Sequence, residues 1–147
     1  MSATMRRMKP LLAALLVLLV AASNCRAADT VPEALVKRLA TLAGADAVDC
    51  GTLLRGTDRR AAITCAQDAT TSGKAWRLAE QLEGAESSIW QGAVRDNQGK
   101  FRVVFYEADL SGAPGSGPTV SVLLCREILF AVKGGDAMEC QPIPGGP

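Results

Sequence analysis

Apolar and polar residues alternate along the middle of the chain, through Ser87 to Asp109, SSIWQGAVRDNQGKFRVVFYEAD. After the run Asp96-Asn97-Gln98-Gly99-Lys100, alternate residues sort Phe101, Val103 and Phe105 onto one face and Arg102, Val104 and Tyr106 onto the other. Asp and Asn bond their own nearby backbone and Gly accepts positive φ, so this run predicts a turn between two strands. The first face is the better core face. Before the turn, Trp90 and Val94 share one face, Ile89 and Ala93 the other, so both faces carry apolar groups.

Upstream the period changes to that of a helix. Leu35, Leu39 and Leu42 fall at i, i+4 and i+7, flanked by Val36 and Ala43. This predicts a helix from Asp29 to Gly44, with Thr30 as N-cap, Pro32 and Glu33 in its first turn and Gly44 at its end. A link rich in Gly and Asp follows, with a short extended piece within Val48 to Leu54. Asp58 then caps a second predicted helix, Arg59 to Ser72, whose face of Ala62, Cys65, Ala66 and Ala69 lets it sit close to whatever it covers. In Ala75 to Glu83 the composition favours helix, but Trp76, Leu78, Glu80 and Leu82 alternate as in a strand; as a strand, it places Glu80 on an apolar face where it needs a partner.

Beyond the hairpin, residues 110–119 form a Gly/Pro/Ser loop, expected to act as a linker, with contact to a partner as the alternative. Val120 to Cys125 and Ile128 to Val132 read as two further strands, and Met138 to Gln141 as the last, after the Gly134-Gly135-Asp136 turn. Together the pattern predicts an α+β domain: two N-terminal helices packed on an antiparallel, meander-like sheet of four to six strands. That order is similar to the cystatin-type arrangement, an analogy of architecture that implies no activity.

The N-terminus changes the reading of the whole. Met5-Arg6-Arg7-Met8-Lys9 is positive, and the twelve residues from Leu11 to Ala22 are all apolar. As a helix they span only ~18 Å, short of a ~30 Å hydrocarbon core. This is the order of a secretory signal peptide, residues 1–27, with cleavage expected after Ala27. The alternative is acylation of Cys25 as an envelope lipoprotein with a structural role, although Ala22-Ser23-Asn24 fits such a site poorly. The domain then comprises residues 28–141, with residues 142–147 as a Pro/Gly-rich tail, and no membrane span remains after processing.

Of 16 basic and 15 acidic residues, the leader removes Arg6, Arg7, Lys9 and Arg26, which leaves a net charge of −3. A weakly acidic domain lacks the basic stripe that nucleic acid calls for. Five cysteines are an odd number, and removal or acylation of Cys25 leaves Cys50, Cys65, Cys125 and Cys140. Four cysteines allow three pairings. Local pairing, Cys50 with Cys65 and Cys125 with Cys140, is preferred, each closing a loop worth ~3 kcal/mol. Such bridges belong to an oxidising compartment, periplasmic or extracellular.

The chain has no His, which removes Ser-His-Asp, Cys-His and His-ligated metal arrangements. No CxxC, phosphate-loop or calcium-loop spacing is present, so no metal or cofactor is expected. Two function classes remain. One is a non-catalytic module that binds a protein or envelope component, with Trp76, Trp90 and Tyr106 as a shared surface on the sheet. The other is a small hydrolase that uses Glu80 and Glu107 as an acid/base pair.

Overall fold

The computed structural model describes residues 30–84, 87–109 and 117–144. The signal segment, Cys25, most of the Gly/Pro/Ser loop and the tail at 145–147 lie outside the described residues. The chain from Val31 onward forms a unit of its own.

Helix α1 spans Glu33–Ala43. Pro32, rather than Thr30, takes the N-cap position, and no side chain caps it. Gly44 ends the helix at φ 94° and returns its amide to the Ala40 carbonyl at 3.0 Å. Strand β1 (Val48–Leu53) follows, then α2 (Arg60–Thr71) and β2 (Trp76–Gln81). Arg59, rather than Asp58, takes the N-cap position of α2, and Asp58 just before it accepts the Arg60 amide at 3.0 Å. The hairpin is β3 (Ser87–Arg95) and β4 (Phe101–Asp109), and the chain closes with β5 (Thr119–Phe130) and β6 (Met138–Pro142).

The six strands form one sheet in sequence order. It is mixed, and this corrects the antiparallel expectation. β1 pairs with β2 in parallel, and every other neighbour is antiparallel. The physical reason is α2. A helix between two strands carries the chain back along the sheet, so β1 and β2 run the same way. The extended piece within Val48–Leu54 is therefore a full edge strand, and the helix-first order of the cystatin analogy does not hold.

The two helices do not share a face. On one side, Leu35, Leu39 and Ala43 of α1 pack with Ala79, Trp90, Val94 and Val104. On the other, Ala66 and Ala69 of α2 pack with Trp76, Leu78, Ala93 and Val103, joined by Cys125, Ile128, Ala137 and Met138. The close approach of α1 depends on Gly92, where a Cβ would lie 2.5 Å from Cδ2 of Leu39.

Two bulges explain where the sequence pattern misled. In β1 the register shifts between Asp49 and Thr52, around Gly51 at φ 91°. Cys50 and Leu53, of opposite parity, thereby both reach the α2 core. In β5 the register shifts between Cys125 and Glu127, and Cys125 and Ile128 likewise both turn inward. The two strands expected at 120–125 and 128–132 are thus one strand of 12 residues that changes partner, from β4 to β6.

Both local disulfides form. Cys50–Cys65 ties β1 to α2 and Cys125–Cys140 ties β5 to β6, each with Cα atoms 5.5 Å apart. Among the described residues no helix is long and apolar enough to cross a membrane.

Gly92→Ala is expected to destabilise the fold by about 1–3 kcal/mol in urea unfolding, because Leu39 is buried and has little room to yield. Adding Leu39→Ala should recover part of that loss relative to the sum of the single variants.

Candidate functional site

Trp76 and Trp90, expected on a common binding surface, are both fully buried and lie on opposite faces of the sheet. The Trp76 indole packs against Phe101 and Phe130, with ring centroids 6.4 and 5.9 Å away. Its N–H donates to Thr70 Oγ1 of α2 at 2.7 Å, and the Thr70 hydroxyl donates in turn to the Ala66 carbonyl at 2.8 Å. Trp90 lies under α1 and donates to Ser88 Oγ at 3.1 Å. These rings are core because each face has its own covering helix. The sequence pattern put apolar groups on both faces but did not assign a helix to each. Tyr106 is half-buried at the margin of the α1 core.

Glu80 also has a partner, in fact several. It is 2% exposed among the α2-side core residues. Its Oε2 accepts Gln91 Nε2 at 2.6 Å, and its Oε1 accepts the Ala137 amide at 2.6 Å. The Arg59 guanidinium stands 3.4 Å from Oε1 and also donates to the Gly134 carbonyl at 3.2 Å. Gln91 makes a second contact with the Met138 carbonyl at 3.1 Å. One carboxylate therefore joins β2, β3, the entry to α2 and the β5–β6 connection. Glu107 lies on the same face but is exposed. From the register, its backbone is roughly 12 Å from that of Glu80, two strands across and two residues along. The two carboxylates share no cleft, since one is enclosed in hydrogen bonds and the other faces solvent.

The roles of Gln91 and Arg59 were not legible from local pattern. Their partners lie 11 to 75 residues away. One signal existed: Gln91 is polar and falls on the Ala93 face, opposite Glu80.

Two more carboxylates are held by their surroundings. Burial pushes Asp96 up, but the Lys100 amide, Arg102 and the Gln98 amide outweigh it and hold the carboxyl below its usual range. The amides of Gln98 and Lys100 reach Oδ1 at 2.9 Å each, and Arg102 reaches Oδ2 at 2.7 Å. Burial pushes Asp49 up too, and the Gly51 amide with Arg77 more than offsets it, leaving the carboxyl lowered. Beside Asp49 and Arg77 is a shallow cavity of about 50 Å³, bordered by Val36 and Thr52. Ligand sites run to ~300 Å³ or more, so this cavity is too small for one. Among the described residues no three metal-ligating side chains converge.

No protein-family model, curated protein or solved structure matches this chain.

What remains is a surface. The outer side of Thr119–Leu124 has no strand beside it among the described residues, because β6 pairs with β5 only from Cys125 onward. Val120, Val122, Leu123 and Leu124 are 38–43% exposed, and Phe105 of the neighbouring strand is 38% exposed. Phe105 was expected in the core. It lies beyond the area that α2 and the Ala137–Met138 segment cover. Tyr106, directly opposite Val120, borders this patch and is the one expected surface aromatic that touches it.

Glu80→Ala is expected to cost about 3 kcal/mol or more in urea unfolding, since it strands Arg59 and the Ala137 amide. Glu107→Ala should stay within about 0.5 kcal/mol. Equal costs would contradict the assignment of Glu80. Asp96 and Asp49 have folded pKa values below the unfolded one. Their contribution is complete above pH ~5 and is lost as pH falls through the depressed folded values. Asp96→Asn should therefore flatten the loss of stability between pH ~5 and ~3, measured as the urea midpoint at each pH.

Proposed function

We propose that the chain is a small exported, non-catalytic interaction module that accepts an extended protein segment along the open edge of β5. The supporting observation is the edge itself: apolar side chains exposed on both faces of a strand that has no outer neighbour among the described residues. A strand edge presents a row of free backbone N–H and C=O groups, and proteins with no use for such an edge blunt it with charge, Pro, a bulge or short length. The other two outer edges of this sheet are blunted. β1 is bulged at Gly51 and carries Asp49, and β6 is five residues long and ends in Pro142. Thr119–Leu124 carries neither charge nor Pro.

Strand addition to a sheet edge draws affinity from main-chain hydrogen bonds and specificity from alternate side chains. A segment seated here would meet Val120, Val122 and Leu124 on the α1 side and Ser121 and Leu123, backed by Phe105 and Val103, on the other. The two disulfides agree with an oxidising location, which favours the periplasm or the outside of the cell.

The test is a photo-crosslinker at position 122 in cells that export the protein. Adducts to a protein are expected from position 122 and absent from the exposed position 67 on α2. Loss of those adducts on Leu123→Lys, with the circular dichroism unchanged, is the predicted outcome. The same adducts from both positions would overturn the reading.

A further inference from the structure

We infer that the segment received by β5 is the same strand of a second copy, so that two sheets join edge to edge about a two-fold axis. This rests on the interaction-module reading and names its partner. Residues 117–125, GPTVSVLLC, hold no Asp, Glu, Lys or Arg, so two copies meet there without like charges opposed. A heterologous partner could be selected by complementary charge, and this edge offers none to read.

Cys125 is already paired with Pro142, so the free length is Thr119–Leu124. A two-fold axis normal to the sheet keeps each face continuous. Because side chains alternate with period two, that axis must pass beside a residue and not between two. Centred on Val122, it would put Thr119 of the copy opposite Cys125, where Pro142 sits. Centred on Ser121, it ends the copy's strand with Thr119 opposite Leu123, two residues short of Cys125 and Pro142, and only Gly117, ahead of the strand, falls at the Cys125 position. Ser121 then faces itself, Val120 faces Val122 of the copy, and Thr119 faces Leu123 of the copy.

This register has two consequences that fit the sequence. Pro118 falls opposite Leu124 of the copy, just before the strand begins, where a missing N–H does least harm. On the α1 side, Tyr106, Val120, Val122 of the copy and Val104 of the copy line up as one row. So short an edge buries at most ~1,200 Å² in total, which is the range of reversible dimers, not obligate ones.

The experiment uses the processed protein purified from an oxidising compartment, where its four cysteines are bridged. Sedimentation velocity across a concentration series is expected to show a reversible monomer–dimer equilibrium, weakened at least ~10-fold by Val122→Lys, which would bury an unpaired charge. In a second arm, Ser121→Cys is treated with oxidised glutathione. A disulfide between the introduced thiols of two copies should form faster than in Gln67→Cys on the exposed side of α2. It should appear as a covalent dimer on a non-reducing gel.

A wild-type protein monomeric at every concentration would overturn the inference. So would a dimer unaffected by Val122→Lys, or bridging at position 121 no faster than at 67. A monomeric protein that still crosslinks from position 122 to a different protein would overturn self-pairing alone. Absence of both dimer and adducts would overturn the interaction-module reading as well.

Discussion

A buried carboxylate holds this molecule's parts in register. Glu80 sits in an otherwise apolar core and is tolerable there because Gln91, the Ala137 amide and Arg59 satisfy it. Burying a charge without partners is costly, so the partners are obligatory. Each belongs to a different part of the chain. The need to satisfy one side chain thereby draws the β5–β6 connection down onto the sheet and anchors the entry to α2. That connection in turn completes the cover over Trp76 and Leu78 on the α2 side.

The same constraint shapes what is left open. With the β5–β6 connection pinned above Glu80, β6 lies along the second half of β5 and stops at Pro142. The disulfides hold the two sheet margins in the same spirit. Cys50–Cys65 binds the parallel edge strand to its crossover helix, and Cys125–Cys140 binds the strand that changes partner to its new neighbour. The first half of β5 falls outside all of this and, among the described strands, has only β4 beside it. Among the described residues the sheet is thus covered by a helix on each face, tied at both margins by a bridge, and left with a short, uncharged edge along β5.

Much of this was legible in the sequence, and the misses have physical causes. The hairpin, both helices, the strand at Trp76–Gln81 and the cysteine pairing follow from period, turn chemistry and loop length. The need of Glu80 for a partner was visible, but its partners were not, because they are distant along the chain. The parallel β1–β2 pair was missed because Gly51 breaks the alternation that marks a strand. β5 read as two strands because a bulge at Arg126 flips the inward face. The aromatic surface failed because period identifies which residues share a face but not how many faces are covered. The two helices lie on opposite sides and enclose both indoles.

Amide hydrogen exchange at high dilution tests most directly the picture of a sheet sealed around Glu80 and open along β5. The account predicts that the Ala137 amide, donated to Glu80, exchanges as slowly as the core amides of β2 and β3. The outward-facing amides of Thr119–Leu124 should exchange within the dead time expected for unpaired backbone. Fast exchange at Ala137, or slow exchange along both sides of Thr119–Leu124 in the monomer, would contradict it.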